Sequence, residues 1–284
     1  CNNSQLPLFL LDGIDKLADE FDIDGVYLDG TARPLGCTNR YHGCGYVADD
    51  GRRPTYPIWA TRDFLRRLCT IFRQKRKDPL VIVHASATVT IPTLGFCDIY
   101  WDGEQFAHYV HGQRDPRSLL PLDTFRAEFM GRQYGLHPEF LVYNGRPFTN
   151  DEALAIALLH NVLMPPRGLG AALEKVSAIW RAQDEFGTSE VEFLPYWSNG
   201  QVVRAEPEGV YVSAWRRQDR GLLMVVSNLG RTEVDARVTL QAETLAGTEY
   251  RAWDALNQEP IPINGGALSL RMGPMTWRLL RIGR

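Results

Sequence analysis

The chain has 284 residues, 44% of them hydrophobic and 23% charged, with a formal net charge of −3. That balance argues against disorder over most of the length. Without an excess of Lys and Arg it also excludes broad non-specific nucleic-acid binding, and no apolar run approaches the roughly 20 residues needed to cross a bilayer. The length suits two domains.

The first two-thirds alternate between helix-like and strand-like segments. Leu11–Phe21 has helical spacing, with Ile14, Leu17, Ala18 and Phe21 on one stripe. Asp24–Gly30 is a short apolar strand that ends in an acid and a glycine, and Pro57–Lys77 returns to helical spacing. The basic run Arg73–Lys77 falls at that helix's end, where cations are favoured. Leu80–His84 and Phe96–Trp101 read as buried strands, Asp123–Gln133 as a helix with Asp123 as N-cap, and Phe140–Tyr143 as a fourth strand. Asn150 caps a helix to about His160, Asn161–Met164 is a candidate fifth strand, and Leu169–Phe186 is a last helix.

Apolar strands separated by helices imply a parallel sheet covered on both faces. The first four strands run into Asp29, His84, Asp102 and Asn144, and α/β folds place their chemistry beyond the carboxyl ends of strands. With no Gly-rich fingerprint, the fold class expected is α/β, the C-terminal part of a (β/α)8 TIM-type barrel. Only about five β/α units fit where a barrel needs eight. The remaining units are expected N-terminal to Cys1, because the chain opens on Cys1-Asn2-Asn3 with neither initiator Met nor signal peptide. The compartment is left open, with secreted or periplasmic as the first expectation.

From about Ser189 the texture changes. Val210–Trp215, Leu222–Val226, Val234–Leu240, Thr248–Trp253, Ala267–Leu270 and Thr276–Ile282 are short strands at regular spacing. They predict an antiparallel β-sandwich over 189–284 after a barrel domain over 1–188. This second domain reads as accessory packing, or as a sugar-binding module acting through exposed Trp residues.

Five cysteines are too few for a disulfide-built fold. Cys37 and Cys44 flank a short loop and could close a disulfide, stay free, or join His42 as metal ligands; the spacing is not a standard zinc pattern and lacks a fourth ligand.

Two segments carry the chemistry. In Asp24-Gly25-Val26-Tyr27-Leu28-Asp29-Gly30, Asp29 should emerge at the sheet rim on the face of Tyr27. In Asp98-Ile99-Tyr100-Trp101-Asp102-Gly103-Glu104, acids again follow a buried strand, where they must be solvated, paired or used. Two carboxylates on two strand ends are what retaining glycoside cleavage needs. Tyr27, Tyr100, Trp101 and Phe106 suit stacking on sugar faces, and Arg33, His42, His84, Tyr143 and Asn144 could bind hydroxyls. Each also has an ordinary reading as a turn, loop or strand-end residue.

Asp24–Asp29 resembles the fourth-strand nucleophile segment of the α-glucosidase and α-galactosidase group of barrel glycoside hydrolases. Trp101-Asp102-Gly103-Glu104-Gln105 resembles the acid/base segment of the α-glucosidase branch, with Glu at 104 in place of Asp. The resemblance implies a β/α barrel followed by β-sandwich domains, a carbohydrate substrate and no cofactor. It carries the nucleophile onto Asp29 and the acid/base onto Glu104, with Asp102 as the other candidate acid. Arg40–Tyr46 and Arg53–Ile58 also resemble uncharacterised bacterial proteins grouped with the family 123 glycoside hydrolases, which use an adjacent Asp-Glu pair. The adjacent pairs here, Asp19-Glu20, Asp151-Glu152 and Asp184-Glu185, fall on predicted helices. Two other readings stand beside the hydrolase: a non-catalytic carbohydrate-binding or structural protein, and a metal-dependent barrel enzyme using Asp29, His84, Asp102 and Glu104.

Overall fold

The computed structural model describes residues 1–30, 33–86, 89–112, 115–130, 135–165, 173–241 and 250–283. The chain parts into two compact units, one formed by 1–105 with 127–141 and the other by 106–126 with 142–284. Residues 142–188 thus pack with the C-terminal region, and the units do not part at 188/189.

The first unit is built on a four-stranded parallel sheet. In chain order it contains α1 (Leu6–Glu20), β1 (Gly25–Leu28), β2 (Tyr46–Ala48), β3 (Gly51–Arg53), α2 (Ile58–Lys75), β4 (Leu80–His84), α3 (Ile91–Leu94), β5 (Ile99–Asp102) and, after an excursion through the second unit, β6 (His137–Phe140). The sheet order is β1-β4-β5-β6, and β2 and β3 form a separate hairpin. Consecutive parallel strands joined by helices are the β/α architecture expected.

Strand alternation sorts the side chains. Leu28, Val83 and Tyr100 occupy one transverse row, and His84, Trp101 and Glu139 occupy another. The first row packs against the helices, in a core that includes Phe64, Leu65, Leu68 and Phe72. Those four recur at helical spacing along α2, which explains its burial. On α1 the buried stripe is Leu11 and Ala18, while Leu17 and Phe21 of the expected stripe face solvent. Gly25 is required where β1 begins, because a Cβ there would collide with the Leu80 carbonyl of β4.

The basic run at the end of α2 serves packing. Arg76 donates to the carbonyls of Ala18, in the last turn of α1, and Ile23, beyond it, and Lys75 pairs with Asp15 and Asp19.

Two expected strands differ. The fourth lies at His137–Phe140 rather than Phe140–Tyr143. Pro138 hides it from a pattern reading, yet His137 and Leu141 direct their N–H groups at β5, so Pro138, at the other parity, gives up no bond to that strand. The candidate fifth strand at Asn161–Met164 instead follows a short 3-10 helix, and Asn161 (φ 56°) closes that helix. The 150–157 helix is capped by Thr149, which forms a capping box with Glu152; Asn150 is its first residue.

The second unit contains α4 (Pro116–Leu119), most of α5 (Leu122–Glu128), α6 (Asn150–Ala157) and α7 (Leu173–Phe186), followed by antiparallel strands. These are β7 (Glu192–Leu194), β8 (Val203–Glu206), β9 (Val210–Arg217), β10 (Gly221–Asn228), β11 (Val234–Leu240), β12 (Arg251–Asp254), β13 (Pro260–Ile261), β14 (Ala267–Met272) and β15 (Thr276–Gly283). They make two sheets, β13-β12-β15-β10-β9-β7 and β14-β11-β8. Both contribute to one core, with Met224, Val226 and Leu280 from the first and Val238, Leu268 and Leu270 from the second.

Of the Trp residues here one is buried, and Trp197, Trp253 and Trp277 are half-buried. Trp215 is buried beside Phe193, Trp197 is stacked on His160 beneath Arg126, and Trp253 lies under Arg281. No helix among the described residues is long and apolar enough to cross a membrane.

Candidate active site

Asp29, His84 and Glu104 meet beyond the carboxyl ends of β1, β4 and β5. The His84 imidazole joins them: Nδ1 lies 3.6 Å from Asp29 Oδ1 and Nε2 lies 2.9 Å from Glu104 Oε2. Tyr27, two residues before Asp29 on the same strand face, places its hydroxyl 2.8 Å from His84 Nδ1. A proton on Nε2 satisfies both neighbours, because Tyr27 then donates to Nδ1 while Nε2–H donates to the Glu104 carboxylate. The Tyr27 and Trp101 rings sit 4.4 Å apart between centroids, forming an aromatic wall beside the acids. Asp29 is the most open of the three, with 69% of its side chain exposed, against 42% for Glu104 and 12% for His84.

The backbone after β5 puts Glu104 at this position. Gly103 has φ +127°, and a Cβ there would lie 2.5 Å from the Leu141 carbonyl. Only glycine lets the chain turn so closely past β6. The Glu104 amide then donates to Ser86 Oγ, which is also 2.9 Å from His84 Nε2.

Other sequence-predicted residues lie elsewhere. Tyr100 and Asp102 are completely buried on the helix-facing side of β5, and the Tyr100 hydroxyl donates to the Glu128 carbonyl. Burial, helped by the Glu128 charge, pushes the Asp102 carboxyl up to about 7. This separation splits the four-residue metal set Asp29, His84, Asp102 and Glu104 across two faces of the sheet. Arg33 is exposed, and His42 sits in a 3-10 turn beside Cys37. Tyr143 and Asn144 belong to the second unit, where Tyr143 bridges to Arg146 and the Asn144 side-chain oxygen Oδ1 accepts from the Asn150 backbone N–H.

Two site residues escaped the sequence reading. Ser86 carried a usable signal, being two residues beyond His84 on the same face. Glu139, on β6 opposite Trp101 of β5, was hidden with its strand by Pro138, and burial raises its carboxyl above the ordinary range.

No protein-family model and no curated protein matches the chain. Solved structures do. A GH27 β-L-arabinopyranosidase from Geobacillus stearothermophilus aligns over 96% of this chain and 61% of its own length, with a TM-score of 0.56 and 12% identity. A maltogenic α-amylase from Thermotoga neapolitana aligns over 99% and 66%, with a TM-score of 0.55 and 13% identity. An α-amylase from Geobacillus thermoleovorans, solved with acarbose, aligns over 99% and 64%, with a TM-score of 0.54 and 13% identity. The chain therefore spans less than two thirds of each. At such identities the likeness is one of fold: the chain shares the α/β architecture with C-terminal β region of barrel glycoside hydrolases.

Proposed function

We propose that the chain carries the active site of a retaining glycoside hydrolase, with Asp29 as nucleophile and Glu104 as acid/base. The observation that carries the reading is the placement of these two carboxylates at opposite nitrogens of one imidazole, at the ends of parallel strands and beside an aromatic wall. The fold shared with glycoside hydrolases supports it. In the first step an Asp29 oxygen bonds to the anomeric carbon as the glycosidic C–O bond breaks, and Glu104 gives its proton to the departing oxygen. In the second step Glu104 takes a proton from water, whose oxygen displaces Asp29 from the sugar. His84 positions Glu104 through Nε2–H, and Tyr27 and Trp101 receive the sugar ring. Asp102 faces the helices and is assigned no contact with substrate.

We read β1, β4, β5 and β6 as consecutive strands of an eight-stranded barrel. Their sequential parallel order supports this, as does the share of the neighbours' length that aligns. In that reading 1–188 is the barrel part and 189–284 the appended β domain, although 142–188 packs with the latter.

The test is hydrolysis of a panel of aryl α- and β-glycosides, N-acetylated sugars included, with the product anomer followed by NMR. Turnover with retained configuration, abolished in Asp29→Asn and in Glu104→Gln, is the expected result. Full activity in either folded variant overturns the assignment. Sugar binding without turnover favours the carbohydrate-binding alternative.

A further inference from the structure

Cys1 meets Cys37 and Cys44, more than 30 residues further along the chain, in the first unit. The sulfurs of Cys1, Cys37 and Cys44 all lie within 4.8 Å of one another, and Cys1 and Cys44 are 3.7 Å apart. A tetrahedral zinc ion with Zn–S bonds of about 2.3 Å sets its sulfurs roughly 3.8 Å apart. A disulfide needs about 2.05 Å and employs only two of the three, and all three are free thiols here. His42 is the nearest source of the ligand missing from the linear pattern: its Nδ1 is 3.6 Å from Cys37 Sγ, outside the cluster of the three sulfurs, and a turn of its ring towards Cys1 and Cys44 would bring it to the fourth position.

The surroundings suit thiolates. The Asn39 amide N–H points at Cys37 Sγ (3.4 Å) and the Asn3 side-chain amide at Cys44 Sγ (3.4 Å). Such N–H donors stabilise sulfur that has lost its proton. Three thiolates around Zn2+ leave one net negative charge, and Arg52 is anchored alongside, donating to the carbonyls of Thr38 and Cys44. Cys44 is fully buried between Gly43 (φ 68°) and Gly45 (φ 81°), so the loop is wrapped around this sulfur.

We propose that Cys1, Cys37, Cys44 and His42 Nδ1 form a structural zinc site tying the segment before α1 to the loop that follows β1. Loading releases the three thiol protons to the buffer, without oxidation. The ion lowers the freedom of a loop downstream of Asp29 and takes no part in bond breaking.

The test uses the full chain under a phosphine reductant, loaded with zinc and dialysed against metal-free buffer. About one equivalent of zinc is expected to remain. Cobalt(II) in its place should give intense thiolate charge-transfer bands and strong tetrahedral d–d bands, a signature read on the unsubstituted protein. Cys37→Ser and Cys44→Ser should each lose the retained metal, His42→Ala should keep the charge-transfer bands with altered d–d bands, and Cys97→Ala should retain zinc fully. Absence of retained metal, weak octahedral cobalt bands, or zinc retention that survives Cys37→Ser overturns the site. So does a disulfide among the three cysteines that persists under the same reductant. None of these readouts depends on hydrolase activity, so the site stands or falls apart from the catalytic proposal.

Discussion

The Nε2 atom of His84 lies 2.9 Å from Glu104 Oε2, and this contact links the ends of two adjacent parallel strands. An imidazole placed this way orients the carboxylate and gives it a charge-assisted hydrogen bond. Replacing His84 with Ala should lower kcat about 10- to 150-fold, matching roughly 1.5–3 kcal/mol for a lost hydrogen bond to a charged group. A steady-state assay with kcat and KM separated checks this, with circular dichroism to show that the fold persists.

Glu104→Gln and Asp102→Asn should differ sharply. Loss of a general acid/base costs about 10²- to 10⁴-fold, whereas Asp102 is walled off among the helices. Parallel kinetics on a substrate with a poor leaving group separate the two acids. Equal losses in both variants would return Asp102 to the acid/base role.

Trp101→Ala should act mainly through KM. It removes one wall of the ring pair with Tyr27, worth about 0.5–1.5 kcal/mol beyond buried area. A several-fold rise in KM with kcat held within a factor of a few is the outcome to look for.

Asp102 should make the first unit less stable as pH rises. Its folded-state pKa, near 7, lies above the ordinary value of 3.8, so the folded form holds a proton that the unfolded form has released. Stability is therefore full below about pH 4 and is lost progressively towards pH 7. Asp102→Asn should gain on the order of a few kcal/mol over wild type at pH 8 and nothing near pH 4. Urea melts at the two pH values measure the difference.

His160 works in the opposite direction in the second unit. It is buried, its Nδ1–H donates to the Ile156 carbonyl, and burial takes its pKa down to about 4 from 6.5. The unfolded chain therefore binds the proton first, and stability present above pH 6.5 drains away as pH falls towards 4. In His160→Gln that part of the acid sensitivity should vanish, which a pH series of denaturation midpoints would reveal.

Much of the fold was readable along the chain. Leu80–Val83 is an unbroken apolar run, with Val81 and Val83 buried and Ile82 half-buried, and Val234–Leu240 alternates because only one face of its strand is buried. Asp29 and Glu104 stood out because an acid after an apolar strand must reach solvent or a partner. Pro138 concealed β6, because its tolerance depends on which residues donate to β5, and only the strand pairing reveals that.

The linear pattern by itself determined which segments are strands and helices over most of the chain, since periodicity and propensity are local. It also marked the two strand ends that carry acids. Only the tertiary structure decided that Asp102 faces the helices while Glu104 turns back to His84, because the choice rests on strand parity and on the passage of Gly103 past Leu141. The same holds for Cys1 beside Cys44: 43 residues apart in the chain, their sulfurs meet because the loop after β1 folds back onto the segment before α1.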